Sequence, residues 1–281
     1  MLRPEGRYGH QSLYPRSSAA LRRYRPCLLA DGRSRHSAQK YRGCTRPHCR
    51  FHSKRNAGTE IIRSFEARAD ALRLFVTQGG DRIKIELSPV LRGTVFPEER
   101  REFSASVEEK FGYVEMPLLS LSDLYAGKVC AALDRQHPRD LFDVKLLLEN
   151  EGLTPELVNT FIVYLISHNR TMGELLRPVR KDIAGLYEGE FLQMAQDEVR
   201  IAALLEVREH LIQEINAALT EDQKKFLISF KSRNPDWKLL GLDGIEKLPA
   251  VRWKMQNLER MPENKHSAAL AHLRDILGIK E

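Results

Sequence analysis

The residues with the clearest chemical potential lie in DLYAGKVCAALDRQHPRDLFDVKLLLE, positions 123–149. Asp140 and Asp143 are spaced i,i+3, so a helix places both carboxylates on one face. Lys128 sits one helical segment earlier, across a short loop containing Pro138, and an antiparallel helix pair brings its ammonium toward those acids. Such a grouping supports two chemistries. It can be a structural ion pair of the kind that decorates helix surfaces, or a phosphate-and-metal site built to receive a nucleotide. Arg139 could grip a phosphate or close a salt bridge where the second helix starts.

A second set of reactive types lies upstream, in Cys44-Thr-Arg-Pro-His48-Cys49-Arg-Phe-His52. Thiolates and imidazoles this close could hold zinc, but the spacing fits no common finger and no second ligand pair frames a fold. Cys130, alone in an apolar helical context, reads as a buried small residue. His168 opens a loop at a helix end, with no neighbour that would make it catalytic. Trp237 and Trp253 are expected to pack between helices.

The elements that must position these groups divide in two. Glu60–Phe65 and Leu72–Gln78 read as short strands. Gly79-Gly80-Asp81 is a tight-turn signal, and Arg82–Leu87 alternates with period two, placing Ile83, Ile85 and Leu87 on one face and Lys84 and Glu86 on the other. Val114–Leu119 adds a further strand. From Ser120 onward the pattern is helical. Ser120 and Asp123 have capping-box spacing at the start of Leu121–Asp134. Past the His137-Pro138 break comes Arg139–Asn150, with a stripe of Leu141, Val144, Leu147 and Leu148. Leu157–Ser167, Glu190–Leu219, Gln223–Lys231, Gly244–Met261 and His266–Leu277 are the remaining predicted helices.

Charge is distributed unevenly along the 281 residues. Residues 1–57 carry 14 basic and two acidic side chains, a net +12, whereas the remainder carries 31 against 36, a net −5. The formal +7 and the pI near 9.2 therefore belong to one segment. That segment lacks periodicity and interleaved aromatics, so it reads as a basic, disordered arm with no more than non-specific nucleic-acid affinity. No run of 18 apolar residues is present to span a membrane, and no signal-peptide core follows Met1. Four unevenly placed cysteines make no disulfide framework. A cytoplasmic protein is the expectation.

KVCAALDRQHPRDLFDV (128–144) resembles the signature of the AbiEii/AbiGii toxin family of nucleotidyltransferases. IKIELSPVLRGTV (83–95) and FIVYLISHNRTMGELL (161–176) follow the same family in the same order, and the similarity runs from about Gly58 to the C-terminus. The resemblance implies an α+β chain, with a nucleotidyltransferase-type α/β domain followed by a large all-helical domain. It also implies transfer of a nucleoside monophosphate from an NTP with Mg²⁺, often onto tRNA, in a type IV toxin–antitoxin or phage-defence setting with a cognate antitoxin as partner. Carried over by position, Lys128 would contact the nucleotide phosphates, Asp140 and Asp143 would be the later acidic pair, and Arg139 a phosphate-binding candidate. Glu86 would be the third metal-facing carboxylate.

One departure bears on mechanism. The family's first motif is a glycine-rich turn followed by a strand ending Asp-x-Asp, whose paired carboxylates hold the metal. No Asp-x-Asp occurs in this chain. Codons permitted for Glu5–Cys27, read one base later, spell KGGTAINLYIRDLPRLSVDIDLA, which contains both the GGT turn and D-I-D. Continuing through Asn56 permits YLPMEDRDTAHKNIEAALARIAASIQNGM, an amphipathic helix that rejoins the present frame near Gly58. Residues 1–57 are accordingly expected to be a basic, disordered or frameshifted segment, 58–119 the remnant of the α/β domain, and 120–281 the helical domain. The function expected is an impaired nucleotidyltransferase-family toxin. The alternative is a non-catalytic binding protein whose helical domain docks a partner such as an antitoxin.

Overall fold

The computed structural model describes residues 60–65, 72–87, 93–195 and 198–279. The basic segment, its alternative frame and the Cys44, His48, Cys49 and His52 set lie outside the described residues. The fold is α+β: two small antiparallel sheets precede a long succession of helices.

The first sheet is a meander of β1 (Glu60–Phe65), β2 (Leu72–Gln78) and β3 (Asp81–Leu87). Gln78 pairs with Asp81, leaving Gly79 and Gly80 as a two-residue loop. Both have positive φ (58° and 92°), which the twist of so short a hairpin demands and a Cβ would strain. The register sets Val76, Leu74 and Leu72 opposite Ile83, Ile85 and Leu87. The Arg82 guanidinium lies 4.4 Å from the Phe75 ring centre. This meander, up to Gly93, belongs to one compact unit, and Thr94–Glu281 belongs to the other.

Within the second unit, β4 (Glu99–Glu102) pairs with β5 (Glu115–Leu118) around the short helix α1 (Ala105–Phe111). The sequence showed β5 but neither β4, whose four residues are all charged, nor α1, which buries nothing. Without an apolar period there is nothing for pattern reading to detect.

The helical core follows. Helix α2 (Leu121–Arg135) packs chiefly on α4 (Pro155–Ser167) and turns back into α3 (Pro138–Asn150), which leans on α7 (Ile201–Ala218). Ala126, Val129, Leu133, Leu141, Val144, Leu147, Phe161, Leu165 and Leu211 are all almost fully buried. The stripe expected on α3 is present, with Leu148 at its half-buried margin. Pro138 and Pro155 occupy first-turn positions, where a missing N–H costs nothing. Gln136 closes α2 in a left-handed conformation, φ 54°. Its buried amide donates to the Val179 carbonyl at 2.8 Å and accepts from the Lys181 N–H at 2.9 Å. Cys130 is buried and free, and burial pushes its thiol well above the ordinary range.

Three expectations are corrected. Glu190–Leu219 is not one helix: α6 (Ala184–Glu190) ends and α7 begins at Ile201. Phe191 turns into the core, 5.6 Å from the Phe142 ring and 5.8 Å from that of Tyr187, and the Tyr187 hydroxyl donates to the Val199 carbonyl at 2.8 Å. Tertiary packing of one aromatic thus breaks a stretch without Gly or Pro. Gly244–Met261 is a single 3₁₀ turn (Ile245–Lys247) and then α9 (Pro249–Glu259), because Pro249 can open a helix but not sit inside one. Trp237 does pack, 5.6 Å from the Phe226 ring and 6.1 Å from that of Phe230, but Trp253 stands 37% exposed. Two short helices, α5 (Met172–Leu176) and α6, were not legible beforehand. The chain closes with α8 (Glu221–Lys231), capped by a Thr220–Gln223 box, and α10 (Glu263–Leu277). No described helix is long and apolar enough to cross a membrane.

Candidate active site on the α2–α3 hairpin

The hairpin forms as the sequence dictates. The Ser120 hydroxyl accepts the Asp123 N–H at the start of α2, and the His137 ring accepts the Arg139 N–H at the start of α3. Two intervening residues, Gln136 and His137, are enough to reverse direction, so residues in the middle of the two helices face one another.

Lys128 and Asp143 meet there. The ammonium donates to the carboxylate at 2.5 Å, and both side chains are a little over a quarter exposed. A short, charge-assisted contact open to solvent can be entered by an anionic ligand, which the lysine would hold as a point charge. Tyr125, one turn before Lys128, adds a phenol whose pKa is raised by partial burial and then by the negative charges of Glu151 and Asp143. It lies close enough to feel that carboxylate, and only its i,i+3 spacing from Lys128 hinted at it beforehand.

The other candidates are placed differently. Asp140 is buried and held by Arg135 through two hydrogen bonds of 3.0 and 2.6 Å, a fork that uses both carboxylate oxygens. Arg139 donates to Glu190 at 2.8 Å and the His137 ring lies 3.3 Å from the same carboxylate; the His137 contact, then Arg139, holds the Glu190 carboxyl below its usual range. That is the salt bridge at the helix start. Glu86 pairs with Arg73 in the meander register, in the other compact unit, and its side chain lies outside the described residues. The structure therefore brings Lys128 together with Asp143, while Asp140 and Arg139 have separate partners.

Asp123 is the strongest feature that sequence reading underestimated. Its carboxylate is 1% exposed and accepts four hydrogen bonds: Val95 N–H (2.8 Å), Phe96 N–H (3.0 Å), the Ser120 hydroxyl (2.8 Å) and the Tyr164 hydroxyl (3.1 Å). Desolvation, then the Asp123 charge, pushes the Tyr164 phenol well above its ordinary value. Asp123 thus pins residues 95–96 to α2 and α4 and fixes the helix that carries Lys128. Only half of the capping box expected at Ser120 is used by the helix. The Asp123 carboxylate turns to the incoming chain rather than back to the Ser120 N–H.

Among the described residues no group of three His, Cys, Asp or Glu side chains converges. His168, at the end of α4, lies 3.7 Å from Asp134, and burial holds its pKa below the ordinary range despite that acid.

The family model described as nucleotidyl transferase AbiEii toxin, type IV TA system, matches residues 28–257, more than half of the chain. No curated protein sequence matches it. Among solved structures, MenT4, a nucleotidyltransferase toxin of Mycobacterium tuberculosis H37Rv, aligns over 78% of this chain and 69% of its own, with 14% identity and a TM-score of 0.43. The match spans both halves of the hairpin that joins Lys128 to Asp143, and this chain belongs to the AbiEii family of nucleotidyltransferase toxins.

Proposed function

We propose that the chain derives from an enzyme that transfers a nucleoside monophosphate from an NTP to an RNA such as tRNA, and that the sequence as it stands does so weakly or not at all. The observation that carries the reading is the 2.5 Å Lys128–Asp143 pair on a family-matched hairpin. In this reading the Lys128 ammonium receives the triphosphate oxygens in place of Asp143. The freed carboxylate would take the proton of the attacking RNA hydroxyl as its oxygen bonds to the α-phosphorus, the α–β anhydride breaks and pyrophosphate leaves. Tyr125 lines the same helix face.

Mg²⁺, the metal expected for the family, does not fit the residues described. Both oxygens of Asp140 are committed to Arg135, Asp143 alone is freed when Lys128 takes the triphosphate, and no Asp-x-Asp exists to bridge phosphate oxygens. Glu86 remains the one candidate metal-facing carboxylate, and Arg139 a candidate phosphate contact that would have to leave Glu190. Impaired transfer is the consequence. The family match starts at residue 28, directly after Glu5–Cys27, whose other frame spells the missing turn and D-I-D motif. The reading keeps a frame change over about residues 5–57 as the origin of the loss, and the family match of residues 28–57 in the present frame counts against its later part.

A second reading is favoured by the same missing motif: a non-catalytic member of a toxin–antitoxin pair, in the cytoplasm, whose helical unit docks its antitoxin. Labelled-NTP transfer to total RNA separates the two. The frame-restored protein should label RNA, Lys128→Ala and Asp143→Ala should abolish labelling, and the present chain should be far slower. An inert restored protein, with antitoxin binding intact, favours the second reading.

A further inference from the structure

A cavity of about 130 Å³ lies between the end of α4, the end of α8 and α9, away from the hairpin. Its polar lining is Asn169, Thr171, Lys231, Lys254 and Asn257, and Trp253 stands at its edge. The lining includes no carboxylate. Two lysines facing one small space without an acid is an unusual composition, because burying an ammonium is costly unless something pairs with it.

Each lysine is buried, with Lys231 4% and Lys254 8% exposed. Lys254 donates to the carbonyls of His168 (2.5 Å) and Arg170 (2.7 Å), which leaves one of its three N–H bonds over. The Lys231 ammonium has no hydrogen-bond or ion-pair partner among the described residues. The two cations are close enough that each charge bears on the cavity, since Lys231 lowers the pKa of Lys254 after desolvation has done so. The neighbouring cations are already engaged: Arg233 with the Leu258 and Met261 carbonyls and Glu263, and Arg170 with Asp134 and Glu174. The acid whose charge reaches Lys254 is Glu174, half exposed and paired with Arg170.

An unpartnered ammonium nine-tenths buried, a second with a spare donor, and two side-chain amides converge on a space that suits a single oxyanion. The exposed indole at the edge offers an apolar face to whatever the anion is attached to, and indole faces stack well on nucleobases. We propose that this cavity is a binding site for the phosphate group of a nucleotide, with Lys231 and Lys254 holding the phosphate and Trp253 stacking on the base. The site is separate from the Lys128–Asp143 pair and stands whether or not that pair supports transfer.

The full-length chain carrying Lys128→Ala, which disables the other nucleotide candidate, is titrated with AMP, inorganic phosphate and adenosine. Calorimetry gives the affinities, and indole fluorescence reports on Trp253, since Trp237 is packed among phenylalanines. AMP should bind and quench, phosphate should bind about tenfold more weakly, and adenosine should be silent. Lys231→Met and Lys254→Met should each lower AMP affinity by about tenfold or more, the loss expected for a charge-assisted hydrogen bond. Trp253→Leu should bring AMP down to the level of phosphate. Lys231→Met removes a buried charge and is expected to fold, so a normal melting curve with unaltered AMP binding overturns the proposal. Adenosine binding as tightly as AMP, or phosphate doing so, overturns it as well. A 5′-phosphorylated tetraribonucleotide identifies the source: tighter binding than AMP supports an RNA end, and weaker binding supports a free nucleotide.

Discussion

Lys128 on α2 donates a 2.5 Å hydrogen bond to Asp143 on α3, while Asp140, one turn earlier on the same helix, is turned away to Arg135. Two carboxylates with the same i,i+3 spacing thus have different partners, because the fork of Arg135 reaches only the one nearer the hairpin loop. A double-mutant cycle with Lys128→Met and Asp143→Asn should give a coupling of about 1 kcal/mol in folding stability, as for a partly exposed pair. In the frame-restored protein both single variants should lose transfer by orders of magnitude. Loss of stability without loss of transfer would return the pair to a purely structural role.

Asp123 should matter more to the fold than any of the site candidates. Asp123→Ala leaves two backbone N–H groups and two hydroxyls without their acceptor in a buried setting. The expected cost is about 3 kcal/mol or more, from urea denaturation monitored by circular dichroism. Asp123→Asn keeps the shape but presents an amide N–H to a donor, so a smaller loss is expected. A neutral Asp123→Ala would show that residues 95–96 are not anchored there.

Lys231→Met should stabilise the protein in phosphate-free buffer. It replaces an unpaired buried ammonium with an apolar chain of similar length, and Tm should rise by about 2–4 °C per kcal/mol recovered. Added phosphate should narrow the gap, because only the wild type gains a ligand. A lower Tm for the variant would mean that the ammonium is satisfied in a way the described residues do not show.

Stability should depend on pH through Lys254. Burial, and then Lys231, lowers its pKa from 10.5 to about 8, with Glu174 opposing. Below pH 8 the folded and unfolded chains are both charged, and the fold bears the full burial cost. Between about pH 8 and 10.5 the unfolded chain keeps a proton that the folded chain has shed, so stability rises with pH across that window, by up to about 3 kcal/mol. The neutral amine still has two N–H bonds for the His168 and Arg170 carbonyls. Urea denaturation at pH 7.5 and pH 10 should show a gain in the wild type relative to Lys254→Met. Equal pH responses in the two proteins would refute it.

Sequencing the gene decides the origin of the missing motif. Codons for Arg23-Tyr24-Arg25 that can be read as D-I-D one base later are expected. Codons that forbid it remove the frame change, and the chain is then a family member that never had the metal pair.

The sequence by itself determined much of what is local. The three strands of the meander, the two-glycine turn, the α2–α3 hairpin and the approach of Lys128 to the acids of α3 all follow from short-range periodicity, capping and helix geometry, which involve neighbours a few residues apart. The +12 of residues 1–57 against the −5 of the rest was equally legible, and it locates the basic charge without assigning it a ligand. Tertiary structure decided everything that needs partners far along the chain. Asp123 became a four-bonded anchor because Val95, Phe96 and Tyr164 arrive from 28, 27 and 41 residues away. Phe191 broke a helix because Phe142 was waiting for it. Asp140 is the exception, since its partner Arg135 is only five residues back and apolar periodicity does not register such a pair. The two buried lysines are 23 residues apart on different helices (Lys231 and Lys254), and no pattern in the sequence relates them. Only the packing of α4, α8 and α9 places them on one cavity, and there the cost of burying unpaired charge makes their meeting informative.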